Sequence, residues 1–437
     1  MARNTLLWRS LAIGGSLALV LSACGSDDGD EETSETAEAT EEATDDAAGG
    51  TSAGAGDGTL TLGTLLPETG SLAFLGPPEF AGVTLAVQEI NEAGGVFGAD
   101  VVQIDSDSGD TSSNIAQQSV DTLFSQNVDA IIGAASSSVS LSVIDKITGA
   151  GVVHMSPANT SPAFTTYDDN GLYFRTAPSD ILQGRVLGDR ILADGYANVA
   201  ILALQDSYGE GLAGQVTETV ESGGGTVVFS QFYDPKATDF SALLDEAAST
   251  NPDAVVVIGF DETATIIPQA VSRNFGPQDL PYYFVDGNLK NWGDEDPPPF
   301  DEGTLTGSRG TTPGAERPAE FEERLQEAYG PLTDFLYSAE SYDAANVIAI
   351  AAVAADDDSG EAIAAELKGV STEGTECTSF AECVELLEAG EDIDYVGVSG
   401  PVDFDDAGDQ GAATIGIYEY GDDNNITAID YVEGTLE

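Results

Sequence analysis

Basic residues are scarce in this sequence. Its 437 residues include 13 Lys or Arg and 77 Asp or Glu, which gives a formal net charge of −64. Proteins that bind nucleic acids need a basic face that displaces counterions from phosphates, so this composition excludes a nucleic-acid partner as the default. Anionic lipid head groups attract polybasic segments, so the same composition also disfavours docking of this protein on an anionic membrane surface. The composition indicates an acidic, well-hydrated surface, which favours solubility and is also typical of salty surroundings, where screening weakens self-repulsion.

Histidine and cysteine are also scarce, and this limits the possible chemistry. The chain has one histidine, His154, and three cysteines. A catalytic triad that depends on histidine would have to use His154, and no Cys/His zinc cluster can be assembled. His154 lies in an apolar stretch that predicts a strand, residues 152–155, and a core histidine is favoured there over a general base. We therefore expect a protein without metal or cofactor rather than an enzyme.

The first 23 residues are typical of an export signal. Arg3 and Arg9 accompany a short apolar run, residues 11–20, and small residues then lead to Cys24. This run is too short for a permanent membrane span. The tetrapeptide Leu-Ser-Ala-Cys at 21–24 resembles the lipobox of bacterial lipoproteins, which predicts lipidation of Cys24 and an anchor on the outer face of the cytoplasmic membrane. The alternative is a plain secretory signal with an incidental cysteine.

Residues 24–57 predict an extended acidic tether. After Cys24 this segment contains only Asp, Glu, Ser, Thr, Ala and Gly. It cannot bury apolar surface, and its like charges repel one another. We expect it to be disordered and to hold the folded part of the chain away from the membrane.

The other two cysteines, Cys377 and Cys383, lie close together in a stretch that resembles a loop. In an exported chain such a pair favours a structural disulfide that closes a small surface loop. A redox-active pair is the alternative, although the spacing is not that of a Cys-x-x-Cys motif.

Residues 58–437 alternate between short stretches rich in Val, Ile and Leu and longer helical patterns. This alternation is typical of βαβ units on a parallel sheet, and it occurs in two successive runs, which predicts two α/β lobes. The predicted strands are residues 59–66, 101–105, 130–133, 152–155, 199–204, 226–232, 254–258 and 282–285, with closing segments at 401–404 and 414–419. The predicted helices are residues 77–93, 112–126, 139–148, 181–193, 211–221, 240–248, 262–273, 319–329, 339–355 and 362–368.

Polar residues directly after the predicted strands are the candidate binding residues, because open α/β sheets bind ligands at the carboxyl ends of their strands. Three serines at 136–138 follow one strand, where free N–H groups and hydroxyls would hold a carboxylate or would simply cap the next helix. The turn at 156–162 presents the Ala158 carbonyl and the Thr160 hydroxyl to a ligand, or merely ends its strand. Asp286 suits an ammonium group, or is a solvated turn residue.

Six short motifs occur in one order along the chain. They are Ile-Asn-Glu-Ala-Gly-Gly at 90–95, Ser-Ser-Ser at 136–138, Ser-Pro-Ala-Asn-Thr at 156–160, Asp-Ser-Tyr-Gly-Glu-Gly at 206–211, Asp-Phe-Ser-Ala-Leu at 239–243 and Gly-Pro-Val-Asp-Phe at 400–404. With these motifs the chain resembles the extracytoplasmic solute-binding proteins of ABC importers, of the leucine/isoleucine/valine-binding type. The resemblance implies the two-lobed type I periplasmic-binding-protein fold, in which two parallel-sheet α/β lobes are joined by three hinge crossovers.

The resemblance also implies roles for individual residues. Ser137 would bind the ligand carboxylate, and Ala158 and Thr160 would add a backbone group and a hydroxyl. Asp286 would bind the amino group. The aromatic residues implied to cover the ligand are Tyr208, Phe260 and Tyr342.

Four positions depart from the pattern of this family. Asp286 is shorter than the usual glutamate, and Phe260 replaces a usual tyrosine. Leu75 occupies a usual aromatic position, and Ser136 replaces one cysteine of the disulfide found in enteric members. The resemblance still implies the amino-acid binding mode. It does not decide which side chain the ligand carries, since family members also bind amides, urea and aromatic acids.

The implied hinge crossovers lie near residues 175–177, 307–313 and 398–401. They assign 58–177 and 313–398 to lobe I, and 178–312 and 399–437 to lobe II. We expect a monomer whose lobes close over a small amphoteric ligand, a branched-chain amino acid before others, and which delivers it to an ABC permease. A binding protein for an amide, urea or aromatic acid is one alternative, and a ligand-sensing module is another.

Overall fold

The computed structural model of the protein describes residues 53–436. The predicted signal peptide, Cys24 and most of the predicted tether lie outside the described residues. We expected disorder up to residue 57, but the end of this tether is paired with the folded part of the chain. The N–H of Gly54 donates to Val128 O at 2.9 Å, and the carbonyl of Gly54 accepts from Gly360 at 3.1 Å. Ordered backbone therefore begins a few residues before the predicted boundary.

The described chain contains 14 strands and 11 α-helices. No helix within residues 53–436 is long and apolar enough to span a bilayer. The strands are β1 Thr61–Leu66, β2 Val102–Asp107, β3 Ala130–Gly133, β4 Val153–Ser156, β5 Tyr173–Arg175, β6 Asn198–Leu204, β7 Thr226–Tyr233, β8 Ala254–Ile258, β9 Tyr282–Val285, β10 Arg309–Pro313, β11 Thr375–Cys377, β12 Ile393–Tyr395, β13 Ala412–Tyr420 and β14 Ile426–Thr435. The helices are α1 Gly76–Glu92, α2 Ile115–Phe124, α3 Ser137–Thr148, α4 Asp180–Ala193, α5 Ser207–Ser222, α6 Ser241–Ser249, α7 Thr263–Val271, α8 Ala319–Tyr329, α9 Ser338–Ala355, α10 Gly360–Leu367 and α11 Phe380–Glu388.

Five parallel strands form the sheet of lobe I, in the order β2-β1-β3-β4-β5. In this register Leu62 of β1 lies between Gln103 of β2 and Ala130 of β3. Every residue of β1 and β3 is buried. Strands of this kind are covered by helices on both faces, which is why they read as short apolar runs in the sequence.

Seven strands form the sheet of lobe II, in the order β14-β13-β10-β9-β8-β6-β7. Its strands are parallel from β7 to β10, whereas β13 pairs antiparallel with β10 and with β14. The two α/β lobes are those predicted from the alternating pattern. The closing segment predicted at 414–419 is part of β13, whereas β14 and its antiparallel pairing were not predicted. The short strands β5 and β10 were missed because so few residues carry little hydrophobic periodicity.

Helix α9 is buried at the centre of lobe I. It is rich in alanine, and every residue from Ser338 to Ala352 is buried between α1, α10 and the sheet. Gly82 of α1 permits this close approach, since a Cβ at that position would lie 2.2 Å from Ser338 O. The position of α9 is therefore fixed by the packing of lobe I.

The chain passes between the lobes three times, after β5, after β10 and before β13. The last passage comes later than the predicted boundary at residue 399, because Val402 and Phe404 still pack in the lobe I core. Residues 401–404, which we predicted as a closing strand, form only isolated bridges, from Pro401 to Val396 and from Phe404 to Gln410.

The sulfur atoms of Cys377 and Cys383 are 2.06 Å apart, at disulfide bonding distance. This bridge joins the end of β11 to the first turn of α11. Both cysteines are part of the lobe I core rather than of an exposed loop. The bridge therefore fixes the small sheet of β11 and β12 against its neighbouring helix.

Candidate ligand-binding site

Residues that follow the strands of both sheets meet along a cleft between the lobes. The hydroxyl oxygens of Ser138 and Ser207 lie 2.9 Å apart, and Ser161 Oγ donates to Ser207 O at 2.9 Å. Leu72 and Leu75, from the loop after β1, pack in the hydrophobic core of lobe II. The lobes are therefore in contact along this cleft, and they enclose the residues between them.

The N-terminus of α3 forms one wall of the cleft. Ser136 is the N-cap of this helix, and its hydroxyl accepts the N–H of Val139 at 3.4 Å. Ser137 begins the helix and is buried, and its hydroxyl accepts the N–H of Ser161 at 3.3 Å. One serine thus caps the helix, while the next contributes a hydroxyl beside the free N–H groups of the first turn. Such a helix end favours an anion.

A turn after β4 presents Thr160 at the same wall. Ser156 Oγ accepts the N–H groups of Ala158 at 3.2 Å and Asn159 at 2.9 Å. Asn159 in turn donates its side-chain amide to Ala134 O at 2.9 Å, which ties this turn to the end of β3. Thr160 is buried, and its hydroxyl forms no hydrogen bond of normal geometry with any residue in 53–436. That hydroxyl lies beside the carboxyl group of Asp180, and it opposes part of the rise in the pKa of that acid.

Asp286 lies directly after β9 on the lobe II side of the cleft. It is only 5% exposed, and its carboxylate accepts hydrogen bonds of 2.8 Å from Gln183 Nε2, Tyr208 OH and Tyr337 OH. It is therefore a buried acid and not the solvated turn residue that was one interpretation of the sequence. Burial raises the pKa of Asp286, and the hydrogen bonds from Tyr208, Gln183 and Tyr337 oppose part of that rise.

Asp180 is a second buried acid of the site, and we did not predict it. It begins α4, is 0% exposed, and donates its N–H to Thr160 O at 2.7 Å. Within the described chain, neither of its carboxyl oxygens has a hydrogen-bond partner of normal geometry. Burial raises the pKa of Asp180 well above its usual value, and the nearby charge of Asp286 raises it further. An acid one residue after the N-cap Ser179 looked like an ordinary helix-start residue, so the sequence signal was hidden.

Aromatic rings surround Asp286. Tyr208 and Phe260 stack with ring centroids 5.5 Å apart and planes at 10°. Tyr337 completes the set, with its ring in the lobe II core and its hydroxyl on Asp286. Two of the three predicted aromatic residues, Tyr208 and Phe260, thus lie beside Asp286, and Tyr337 joins them without having been predicted.

Two other sequence candidates lie elsewhere. The hydroxyl of Tyr342 donates to Glu89 at 2.7 Å, and its ring packs edge-on against Phe321 in the lobe I core. Tyr342 lies within α9, whereas Tyr337 is the N-cap that precedes the helix, so the two side chains leave the chain in different directions. His154 is fully buried in β4 beside Tyr173, and burial lowers the pKa of His154 to about 4. It is a neutral core residue at physiological pH.

A cavity of about 210 Å³ lies beside the stacked aromatic pair. Residues of both lobes line this cavity, and several of them lie just after the ends of strands. Apolar side chains and hydrogen-bonding groups share these walls. The lining residues are Ser71, Leu72, Gly109, Asp110, Thr111, Ser112, Ser136, Leu204, Gln205, Asp206, Pro235, Lys236 and Phe260.

A cleft at the carboxyl ends of two α/β sheets occurs in several protein families. Comparison with known proteins shows to which of them this chain belongs. The model of the family described as periplasmic binding protein matches residues 59–424. The chain belongs to the periplasmic binding protein family. The resemblance inferred from the six motifs is thereby confirmed at the level of the family, which consists of solute-binding proteins and not of enzymes.

Relatives of this periplasmic binding protein are found in archaea and bacteria. It is 27% identical over 358 residues to the chemotactic signal transduction system substrate-binding protein BasB of Halobacterium salinarum, covering 79% of this chain and 83% of the relative. It is 30% identical over 229 residues to the leucine-, isoleucine-, valine-, threonine- and alanine-binding protein of Pseudomonas aeruginosa. That second match covers 50% of this chain and 60% of the relative.

Solved structures share the fold of this periplasmic binding protein. The branched-chain amino acid substrate-binding protein LivJ of Streptococcus pneumoniae, in complex with isoleucine, matches with a TM-score of 0.70 and 22% identity. A solute-binding protein from R. palustris, in complex with 4-hydroxybenzoate, matches with a TM-score of 0.70 and 17% identity. Both comparisons cover 86% of this chain, with 99% of the first structure and 97% of the second. The predicted two-lobed type I fold is confirmed.

The residues that meet between the lobes of this periplasmic binding protein differ in chemistry. Ser137 and Thr160 contribute hydroxyls beside the helix N–H groups of lobe I, whereas Asp180 and Asp286 contribute buried carboxyl groups, with Asp180 next to Thr160. No group of His, Cys, Asp and Glu side chains that could hold a metal ion occurs in the part of the chain that the structure describes. The arrangement is suited to binding a small amphoteric molecule.

Proposed function

We propose that this protein captures a small amino acid between its lobes and delivers it to an ABC permease in the cytoplasmic membrane. The observation that carries the proposal is that two hydroxyl residues, Ser137 and Thr160, and two acids, Asp180 and Asp286, are all buried after the ends of strands where the lobes meet. A zwitterion removed from water needs hydrogen-bond donors at its carboxylate and an anion at its ammonium group. The cleft supplies both sets of partners.

The head group of the ligand is assigned as follows. Its carboxylate would accept hydrogen bonds from the first turn of α3 and from the hydroxyls of Ser137 and Thr160. Its ammonium group would lie between Asp180 and Asp286, where it replaces the proton that burial otherwise favours. Asp286 has three donors on it already, so the unpaired oxygens of Asp180 supply additional acceptors.

The side chain of the ligand would enter the cavity beside Tyr208 and Phe260. A volume of about 210 Å³ accommodates a branched aliphatic group, and Leu72, Leu204 and Phe260 supply apolar contact for it. The Pseudomonas relative named for leucine, isoleucine and valine supports this choice. The polar part of the lining and the structure bound to 4-hydroxybenzoate keep an amide, urea or an aromatic acid as the alternative.

A calorimetric screen of the purified protein tests this proposal. We expect leucine, isoleucine or valine to bind and to raise the melting temperature, because a ligand at 100 times its dissociation constant adds ~2.7 kcal/mol of stability. Benzoate, acetamide and urea are the comparison ligands, since each lacks the ammonium or the carboxylate group. Binding of benzoate with no response to any amino acid would contradict the amino-acid assignment and favour the alternative.

We also propose that the protein is a monomeric lipoprotein held at the outer face of the cytoplasmic membrane through Cys24. The support is the tetrapeptide at 21–24 and the acidic segment that follows it. Mass spectrometry of the mature N-terminus should find acyl groups on Cys24, and Cys24→Ser should release the protein from the membrane fraction. A soluble, unmodified mature chain would indicate a plain secretory signal instead.

Ligand sensing is a second candidate function, and one comparison favours it. The relative from Halobacterium salinarum, which matches 79% of this chain, is named for a chemotactic signal transduction system. Both functions use the same binding event and differ in the protein that recognises the closed lobes. Uptake of labelled leucine that is lost when the gene is deleted would support transport, whereas a loss of chemotaxis with normal uptake would support sensing.

A further inference from the structure

Gln183 is a buried residue of α4 that no assigned ligand contact uses. It is 0% exposed and lies three residues after Asp180 in the same helix. This spacing brings two side chains to the same side of a helix, so Gln183 lies next to the second acid of the candidate site. A buried amide normally has partners for both its nitrogen and its oxygen.

The nitrogen of the Gln183 amide has such partners. Nε2 donates to Asp286 Oδ1 at 2.8 Å and to the carbonyl of Thr311 at 3.1 Å. A backbone carbonyl can only accept a hydrogen bond, so the contact with Thr311 fixes which end of the amide carries the nitrogen. Gln183 therefore contacts Asp286 through its nitrogen and leaves its oxygen for another partner.

The oxygen of the same amide has no partner in the protein. Oε1 of Gln183 is buried and forms no hydrogen bond of normal geometry with any residue in 53–436. An acceptor that is removed from water without gaining a donor carries a desolvation cost. A ligand that donates an N–H to this oxygen would remove that cost.

The acid next to Gln183 also lacks donors. Neither carboxyl oxygen of Asp180 has a hydrogen bond of normal geometry in the described chain, although the Thr160 hydroxyl lies beside this group. The basic residue Arg175 is near Asp180 but pairs with Asp409 at 2.6 Å. The site therefore suits a cation that carries several N–H groups on one nitrogen. A primary ammonium group, which has three N–H donors, is such a cation.

We propose that Gln183 is a specificity-determining residue whose Oε1 accepts one N–H of the ligand ammonium group, while Asp180 and Asp286 accept the other two. The proposal rests on the proposed function, in which this ammonium group lies between the two acids. Three acceptors match the three N–H groups of a primary ammonium. An N-methylated amino acid has only two, so one buried acceptor would be left without a donor. The site therefore selects primary amino acids over N-alkylated ones.

A comparison of leucine with N-methylleucine tests this selection. N-methylleucine should bind to the wild-type protein about tenfold less tightly, because one buried acceptor loses its donor. Gln183→Met keeps a side chain of similar length and removes the acceptor. The preference for leucine should fall to about threefold or less in this variant. Titration calorimetry measures all four dissociation constants.

Tyr337→Phe is the matched control for this comparison. It also removes one donor from Asp286, since the Tyr337 hydroxyl donates to Asp286 Oδ2 at 2.8 Å, but it leaves the amide of Gln183 in place. The preference for leucine should therefore stay at its wild-type value in Tyr337→Phe. If Gln183 serves only to hold Asp286, Gln183→Met will weaken both ligands equally and keep the wild-type preference. That result would overturn the assignment.

A crystal structure of the wild-type complex with leucine is a second measurement, and it does not depend on the folding of a variant. The ligand nitrogen should lie within hydrogen-bonding distance of Gln183 Oε1, about 3.2 Å or less, and a longer distance would overturn the assignment.

Two amines separate the failure of this proposal from the failure of the proposed function. Isoamylamine is leucine without its carboxylate, and N-methylisoamylamine is the matched secondary amine. If the wild-type protein binds no amino acid, the proposed function fails, and the two amines then test Gln183. Tighter binding of isoamylamine that is lost in Gln183→Met would support the assignment. Absence of binding by either amine, or equal binding of both, would overturn it.

Discussion

Two carboxyl groups enclosed in one cleft repel each other unless a cation or a proton lies with them. Asp180 and Asp286 are in this situation, and the nearby Asp286 charge contributes to the raised pKa of Asp180. Three donors stabilise Asp286, whereas the carboxyl group of Asp180 has the Thr160 hydroxyl beside it and no hydrogen bond of normal geometry within residues 53–436. An ammonium group would therefore relieve an unfavourable arrangement and gain two partners.

The first prediction concerns Asp286. Asp286→Asn should weaken binding of the amino acid by ~2 kcal/mol or more, because a buried ammonium group loses its charged partner. Titration calorimetry measures this loss directly. Asp279→Asn is a suitable control, since Asp279 is an exposed acid of the same lobe that accepts only a local N–H from Gly276. Affinity equal to that of the control would remove Asp286 from the site.

The second prediction concerns the proton on the site. The raised pKa of Asp180 means that the free site holds a proton at pH values where an ordinary aspartate is ionised. An ammonium ligand favours the ionised form, so binding should release up to about one proton, and affinity should rise with pH below the raised pKa. Calorimetry in buffers of different ionisation enthalpy counts the protons. In Asp180→Asn the buffer dependence should shrink, and its persistence would assign the proton elsewhere.

Individual elements were predicted well wherever the chain carries a local pattern. The strand predicted at 59–66 is Thr61–Leu66, and the helix predicted at 181–193 is Asp180–Ala193. Short edge elements such as Tyr173–Arg175 escaped prediction because three residues show no periodicity. For α9 the helix itself was predicted, but which of its sides meets the cleft was not, so Tyr342 was chosen where Tyr337 lies. Which side of α9 faces the cleft depends on how this helix packs against α1 and α10.

The third prediction concerns the turn that presents Thr160. Arg175 at the end of β5 donates to Ser161 O at 2.8 Å and pairs with Asp409 at 2.6 Å, with both side chains at most 1% exposed. Arg175→Met should destabilise the protein by about 3–5 kcal/mol, because Asp409 is left as an unpaired buried charge. Urea denaturation measures the effect. The double variant Arg175→Met/Asp409→Leu should recover much of it, whereas no recovery would show that the charge of Asp409 is not the cause.

At the scale of the whole molecule, the lobes are joined by few chain crossings and meet over the cleft. Leu72 and Leu75 of lobe I reach the core of lobe II, and Lys290 Nζ of lobe II lies 4.5 Å from the centre of the Phe74 ring in lobe I. These contacts come from loops that are far apart in sequence. The presence of two α/β lobes followed from the alternating pattern, while the way in which they meet did not.

The fourth prediction concerns the excess of acidic residues. With a formal charge of −64, self-repulsion opposes the folded state at low ionic strength. The melting temperature should therefore rise between 0.1 and 1 M NaCl, as the Debye length falls from roughly 10 Å to 3 Å. Calorimetric scans with sucrose at matched osmolality control for effects other than screening. A melting temperature that does not change with the NaCl concentration would show that the acidic residues are well spaced on the surface.

The sequence by itself determined the two α/β lobes, the family and the polar residues that follow the strands. These features depend on local periodicity and on short motifs, which a single chain displays without any knowledge of distant contacts. Only the tertiary structure decided that Asp180 lies near Asp286 and that Tyr337 donates to Asp286. These residues are separated by many positions in the chain, so their proximity arises from how α4, α9 and β9 pack, and packing is a property of the whole chain.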